Sequence, residues 1–208
     1  SGAHQETHGG GSSYRQDVFI AKFNANGARQ WATYYGGTSE DKAEAIAIDA
    51  AGYLYITGVV ASSNNISTPG AHQELQTGGD YEGFVAKFSA DGVRQWGTYY
   101  GGDSLDWLYD IALDGNANIY VVGRTQSAMN VATPGAFQET VGGRDACIVK
   151  FDKNGIRQWG TYFGGSHLDE GYGIAADAAG NVYASGMTSS TDLFTTSSAL
   201  YPAYSIGL

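Results

Sequence analysis

Arg94-Gln-Trp-Gly-Thr-Tyr-Tyr-Gly-Gly102 is one of three nearly identical phrases in this chain. The others are Arg29-Gln-Trp-Ala-Thr-Tyr-Tyr-Gly-Gly37 and Arg157-Gln-Trp-Gly-Thr-Tyr-Phe-Gly-Gly165. Their tryptophans, Trp31, Trp96 and Trp159, lie 65 and then 63 residues apart. A period of that length is the mark of stacked copies of one supersecondary unit, each too small to bury a core alone.

The rest of the unit repeats in register. Asp17-Val-Phe-Ile-Ala-Lys-Phe23 matches Glu82-Gly-Phe-Val-Ala-Lys-Phe88 and Asp145-Ala-Cys-Ile-Val-Lys-Phe151. Ala45-Ile-Ala-Ile-Asp49 matches Asp110-Ile-Ala-Leu-Asp114 and Gly173-Ile-Ala-Ala-Asp177, with Tyr55, Tyr120 or Tyr183 and then Gly58, Gly123 or Gly186 behind them. Gly2-Ala-His-Gln-Glu6, Gly70-Ala-His-Gln-Glu74 and Gly135-Ala-Phe-Gln-Glu139 are a further shared piece, which fades into Ser198-Ala-Leu-Tyr201. The chain reads as a single array over 1–208, with repeats at about 3–70, 71–135 and 136–199.

Each period holds four short strand-like runs. In the middle copy they are Gly83–Phe88, Gln95–Tyr100, Tyr109–Leu113 and Asn118–Gly123. Turns such as Ser89-Ala-Asp-Gly92 and Asp114-Gly-Asn-Ala117 join the members of each pair. Asp, Asn and Ser at a turn entrance bond nearby N–H groups, and Gly or Asn accepts positive φ, so these are hairpin signals. No run carries a long helical period with caps, which argues against parallel βαβ units. The expected fold is all-β, a β-propeller built from four-stranded antiparallel blades of about 65 residues. The alanine-rich run Ala45–Ile48 and its equivalents are expected innermost, and the Trp-x-Thr-Tyr strand outermost. An open β-solenoid of the same strands is the competing arrangement.

The combination Asp-x-Phe-(Val/Ile)-Ala-Lys-Phe, Trp-x-Thr-Tyr-x-Gly-Gly, Gly-Ile-Ala-x-Asp-Ala-Ala-Gly-Asn-Val-Tyr and Thr-Pro-Gly-Ala-Phe-Gln resembles the bacterial SBBP family of β-propeller repeats over nearly the whole chain. The resemblance implies a propeller fold, a bacterial source and an extracellular or cell-surface setting. It implies no catalytic residues, and none are carried over. The chain departs from the family's seven-bladed pattern in having three repeats, and its last copy replaces Pro-Gly with Ser197-Ser198.

Three blades are too few for a ring, which normally takes about four to eight. The expectation is therefore self-association, favouring a homodimeric six-blade ring, or membership of a longer chain. Asp17–Gly36 has no inner pair before it and Gly171–Gly186 no outer pair after it; in a closed ring such halves pair between the termini, and between two chains they pair reciprocally.

Composition narrows the partners. The chain carries 11 basic and 21 acidic residues, a net charge of −10, which repels phosphate backbones and argues against nucleic acid. No apolar run reaches the 18 or so residues of a membrane span. No secretion signal is visible, but the chain opens on Ser1, so this says nothing about export. The single cysteine, Cys147, holds the place of Phe19 and Phe84 and is expected to be a buried free thiol.

Antiparallel alternation puts the short turns on one face and the long connections on the other, including 61–81 and 125–144. That long-loop face is the expected meeting place for a protein or glycan partner. Trp107 stands out there because its equivalents are Lys42 and Glu170, so the fold demands no aromatic at that position. With Asp103, Asp106 and Tyr81 it forms the candidate ligand-binding set. Trp31, Trp96 and Trp159 recur in every repeat and are expected to be buried packing anchors. Asp41, Asp106 and Asp169 recur, as do Asp49, Asp114 and Asp177. Calcium would need about six to eight oxygens, and no loop matches the EF-hand or nonapeptide calcium pattern, so no cofactor is expected and calcium is an alternative that is not favoured. His4 and His72 align with Phe137 and Leu200, which suits packing; His8 and His167 have no ligand-like spacing.

Neighbouring acids such as Glu40–Asp41 and Asp169–Glu170 read as solvated loop groups. No hydrolase, zinc-protease or P-loop motif is present. The functional expectation is a non-enzymatic surface or secreted interaction module, part of an adhesin or filament. A lectin-like carbohydrate binder is the first alternative. A polysaccharide-acting enzyme, with acids drawn from different blades, is the second.

Overall fold

The computed structural model describes residues 4–10, 15–193 and 195–196. The segments Ser197-Ser198 and Ser198-Ala-Leu-Tyr201, with Leu200, and the Gly2-Ala start of the first shared piece lie outside the described residues. Among those described there is no helix, so no helix is long and apolar enough to cross a membrane.

Among the described residues twelve strands follow one another: β1 (Val18–Phe23), β2 (Arg29–Tyr35), β3 (Asp41–Ile48), β4 (Leu54–Val60), β5 (Glu82–Phe88), β6 (Arg94–Tyr100), β7 (Asp106–Leu113), β8 (Ile119–Thr125), β9 (Asp145–Phe151), β10 (Arg157–Phe163), β11 (Asp169–Ala176) and β12 (Val182–Thr188). They form antiparallel sheets in the orders β1-β2, β3-β4-β5-β6, β7-β8-β9-β10 and β11-β12. Two sheets are thus four-stranded and two are halves. Each full sheet straddles a boundary of the sequence periods, because the long loops 61–81 and 126–144 join strands that pair directly. β7 packs against β3 and β4 on one side and β11 on the other, so the alanine-bearing strands of successive sheets are neighbours. The tryptophan strands β6 and β10 are the far edges of the full sheets.

A bulge recurs in each alanine-bearing strand, where Glu44, Tyr109 and Tyr172 fall out of register with the partner strand. The bulge drives the preceding carbonyl toward the neighbouring strand, where Gly58, Gly123 and Gly186 sit. A Cβ on Gly123 would lie 1.8 Å from the Trp107 carbonyl oxygen. The repeated glycine is therefore required by the bulge opposite it.

The cores lie between sheets. In one, Val18, Ile20 and Tyr35 receive Phe84, Ala86 and Tyr99 of the next sheet. In the other, Val85 and Tyr100 receive Cys147, Val149 and Tyr162. The same positions pack each time, offset by one period. Cys147 is a buried free thiol in this second layer, and burial raises its pKa far above the ordinary thiol range.

Trp31, Trp96 and Trp159 are half-buried, short of the full burial expected of packing anchors. The reason is their place on edge strands, where one side of the indole meets solvent. Their role is still between sheets: Trp31 Nε1 donates to the Ala90 carbonyl (3.0 Å) and Trp96 Nε1 to that of Lys153 (3.3 Å), each in the outer turn of the following sheet. Trp159 lies 6.3 Å from the Tyr120 ring of its own sheet.

The turns follow their side chains. Asp49, Asp114 and Asp177 each accept two backbone N–H bonds across the turn and a hydroxyl bond from Tyr55, Tyr120 or Tyr183. Gly52 and Gly180 close two of these turns at positive φ, but the third uses Ala117 at φ 60°. That conformation costs an L-residue about 1–2 kcal/mol. Ala117→Gly should therefore stabilise the chain by up to about 1 kcal/mol in urea unfolding, after the greater freedom of glycine in the unfolded chain is subtracted. A loss of stability would contradict this account of the turn. Cys147 should react with a thiol reagent only as fast as the folded protein opens; labelling at the unfolded-chain rate would place the thiol outside the core.

Candidate functional site

The recurring acids come first, because the fold absorbs them. Asp106 is buried at the start of β7. Its Oδ2 accepts bonds from the Gly102 N–H (2.8 Å) and the Ser127 hydroxyl (2.7 Å), and its Oδ1 accepts from the Thr125 hydroxyl (2.5 Å). Asp41 does the same with Gly37 and Ser62, and Asp169 with Gly165, Thr188 and Ser190. Each carboxylate thus ties the Gly-Gly crossover to the loop leaving the neighbouring strand. The crossover has no room for side chains: a Cβ on Gly101 would sit 2.3 Å from Asp106 Oδ2, and one on Gly102 2.0 Å from the Met129 carbonyl oxygen.

This corrects two readings of the sequence. Asp106 faces inward as a structural tie and is withdrawn from the ligand-binding set. Asp41 and Asp169 are buried acids beneath the crossover, and Glu170 is buried against Arg124, Arg144 and Tyr172, so none of the three is a solvated loop group. Asp103 stays exposed, but its Oδ1 accepts from the Ala128 (2.8 Å) and Met129 (3.3 Å) N–H groups, so it fastens two loops together. Among the described residues no group of three or more His, Cys, Asp or Glu is placed to hold a metal.

A second acid approaches each crossover from the neighbouring strand. Gly101 lies between Asp106 and Glu82, and Gly164 between Asp169 and Asp145. Glu82 is buried and accepts from Gln73 Nε2 and from the Thr77 N–H and hydroxyl. Burial, with the nearby Asp106 adding to it, raises its pKa from 4.5 to about 7 against these hydrogen bonds. The repeated acids Asp17, Glu82 and Asp145 were visible in the sequence as strand starts, but their approach to the crossover needed the third dimension. His4 and His72 pack edge-on against Phe88 and Phe151 at 5.8 Å, and burial lowers both to about 4.

The residues that differ between repeats behave otherwise. Trp107 is stacked on Tyr81, with ring centroids 5.1 Å apart and planes at 26°. Its cross-strand neighbour Arg124 places its guanidinium 4.9 Å from the indole centroid. Tyr81 donates to Glu40 Oε2 (2.8 Å), and Lys42 Nζ lies 2.6 Å from Glu40 Oε1. Arg124 and Arg144 both donate to Glu170 Oε1 (2.8 and 3.2 Å), while the Tyr172 hydroxyl donates to Oε2 (2.5 Å). Tyr172 also packs on Tyr109 at 5.3 Å.

These contacts make one continuous band at the long-loop end, from Lys42 across β7 to Tyr172. Burial raises Glu170, but its bonds to Tyr172 and Arg124 outweigh that and hold it below the ordinary range. The bonds from Lys42 and Tyr81 likewise hold Glu40 low. The band contains Trp107 and Tyr81 of the sequence-derived set and adds Arg124, Glu170, Glu40 and Tyr172. For Arg124, Glu170 and Glu40 the signal was divergence between repeats: Arg124 stands where Val59 and Met187 stand elsewhere, whereas Tyr172 shares its position with Tyr109. The faces of Trp107 already carry an intramolecular phenol and guanidinium, so this indole is not a bare stacking platform.

On the opposite, short-turn end an open groove of about 930 Å³ lies between the two full sheets, lined by Tyr53, Lys87, Trp96, Asp114 and Asn154 among others. It mixes apolar rings with charged and amide groups.

The SBBP model, described as a beta-propeller repeat, matches residues 30–65, 95–128 and 158–194, about half of the chain. The chain belongs to the SBBP β-propeller repeat family. Each match begins in a tryptophan strand, runs through the Gly-Gly crossover and its aspartate, and ends beyond the following strand pair. The chain is also similar to the regulatory protein FlaEY of Caulobacter vibrioides, 26% identical over 155 residues. That match covers 73% of this chain but 15% of the relative.

Glu82 supplies a pH test of the crossover. A carboxyl whose pKa rises on folding stabilises the fold fully below its unfolded value, and the contribution is lost as pH rises through the folded value. Wild type should therefore lose stability relative to Glu82→Gln between pH 4.5 and about 7, by on the order of 1–3 kcal/mol. Urea midpoints at several pH values measure this. A pH-independent difference between the two proteins would show that Glu82 does not hold its proton in the fold.

Proposed function

We propose that this chain is a non-enzymatic, propeller-type interaction module of a bacterial surface or secreted protein, which meets its partner through the band at the long-loop end. One observation carries the reading. The residues kept in every repeat are engaged in holding the crossovers, turns and sheets, whereas the divergent residues converge on one continuous strip with aromatic rings and both signs of charge. A strip of that kind suits a protein surface with complementary charges. The surface setting rests on the family likeness. The acids of the band, Glu40 and Glu170, are low-pKa carboxylates tied to basic groups and tyrosines; neither has the raised pKa of a general acid, which weighs against a glycosidase. The net negative charge weighs against nucleic acid.

A carbohydrate-binding role is the second reading, favoured by the half-exposed Trp96 and amide-rich lining of the short-turn groove. A glycan array read with Trp96→Phe and Trp107→Ala separates the two. On the first reading wild type shows no glycan signal, releases no reducing sugar from a polysaccharide panel, and is stripped from intact cells by external protease. A glycan signal lost only with Trp96→Phe would move the site to the groove. Sugar release abolished by Glu170→Gln would make the chain an enzyme.

A further inference from the structure

The middle repeat departs from the other two in the loop that faces its Gly-Gly crossover. Thr77 stands there where the other repeats have glycine. Gly9 and Gly142 each donate a backbone N–H to the acid leading into the next strand, Asp17 (2.6 Å) and Asp145 (3.0 Å), and Thr77 donates its own to Glu82 (3.1 Å). A Cβ on Gly9 would lie 2.4 Å from the Gly37 carbonyl oxygen, and one on Gly142 2.0 Å from that of Gly165. Thr77 carries a hydroxyl into this place, and it reaches the Gly102 carbonyl at 2.9 Å. The acid differs as well: a glutamate replaces the two aspartates. Both changes fall in the layer that carries the Tyr81–Trp107 stack.

The Thr77 hydroxyl has one proton and two acceptors within reach. Besides the Gly102 carbonyl it lies 3.0 Å from Glu82 Oε1. Its oxygen also accepts from Gln73 Nε2 (3.1 Å). A carboxylate at Glu82 only accepts, so one of the two oxygens goes without the Thr77 proton. A carboxylic acid resolves the count: its O–H donates to Thr77 Oγ1, and Thr77 donates onward to Gly102. The surroundings favour that form. Glu82 is fully buried, Thr77 stands at the solvent border, and among the described residues no cation lies within ion-pair distance of Glu82. The titratable groups facing it are Asp106 from β7 and the Tyr99 phenol from β6, while Asp80 and Asp103 in the flanking loops are exposed. Burial, and after it the Asp106 charge, raise the Glu82 pKa to about 7.

We propose that Glu82 and Thr77 form a protonation latch that controls the order of the band. The neutral acid donates to Thr77, and Thr77 holds the Gly102 carbonyl. Loss of the proton to solvent turns the Thr77 hydroxyl back to Glu82 and frees the crossover from the loop. The latch lies directly behind the stacked rings. Asp106 already holds the Gly102 N–H (2.8 Å), so Thr77 grips the other side of the same residue. Gly78 and Gly79 follow Thr77 and press on the crossover backbone, where a Cβ would meet Asp103 at 2.7 Å and Ser104 at 2.6 Å. The Asp106 N–H donates to the Tyr81 carbonyl (3.2 Å), and Tyr81 and Trp107, the chain neighbours of Glu82 and Asp106, stack at 5.1 Å. The stack is therefore ordered below about pH 7 and loosened above it. A partner is then gripped more tightly on the acid side, a consequence that rests on reading the band as the binding surface, since an ordered surface loses less freedom on binding.

Amide hydrogen exchange of the wild-type chain, corrected for its intrinsic pH dependence, reads the latch in segments 77–81 and 101–106. Between the acid and alkaline sides of pH 7, exchange there should quicken by about 2- to 10-fold, the worth of one hydrogen bond, with its midpoint near 7. The equivalent crossover 164–168, which faces Gly142, should show no such step. Glu82→Gln, whose amide N–H donates to Thr77 as the acid does, should exchange slowly on both sides, and Thr77→Val fast on both. The fluorescence of Trp107, taken as wild type minus Trp107→Phe, should follow the same pattern. A wild type without the step would overturn the latch, as would a step that persists in Glu82→Gln. Wild-type behaviour in Thr77→Val would overturn it by leaving Thr77 out. Should a variant not fold, the wild-type step and its absence at 164–168 decide alone. None of these measurements uses a partner, so a band that binds nothing and a latch that does not work give different results.

Discussion

One buried carboxylate per repeat sets the geometry on which the rest of the molecule depends. Asp41, Asp106 and Asp169 each gather a crossover N–H and the hydroxyl of a serine that leaves the adjacent strand. A buried charge persists only when its lone pairs are filled, so the hydrogen bonds and the burial require each other. The tie fixes where a tryptophan strand ends and where the next sheet begins.

The same constraint separates scaffold from function. Repeated polar residues have partners inside the repeat, and a ligand would have to displace them. Trp107, Arg124, Lys42 and Glu170 occupy positions that the tie leaves free, at the beginning of the inner strands or opposite them. Their contacts run across sheets, so the band exists only when successive sheets are stacked. Binding at such a band and completeness of the array are therefore linked: what stabilises the stacking also preserves the surface.

Much of this was legible in the residues. The strand pairs, the turns and the buried thiol followed from period and alternation, and the family from the motifs that the chain shares with it. The role of Asp106 did not, because a short loop with Gly-Gly and Asp reads as solvent-exposed until the serine loop folds over it. Full burial of Trp31, Trp96 and Trp159 was expected from their recurrence, yet an edge strand can recur as faithfully as a core one. The stacking of Tyr81 on Trp107 joins the end of one long loop to the start of β7, two strands further on, and no local spacing announces it. The pairing of Glu82 with Asp106 was hidden for the same reason.

Equilibrium urea unfolding of Asp106→Ala tests the central claim most directly. The substitution leaves the Gly102 N–H and the Thr125 and Ser127 hydroxyls without their acceptor in a buried site. Stability should fall by about 2–4 kcal/mol, since each unsatisfied buried group costs about 1–3 kcal/mol and the desolvated charge is relieved in return. Wild-type stability in this variant would mean that the aspartate is not the tie that sets the sheet geometry.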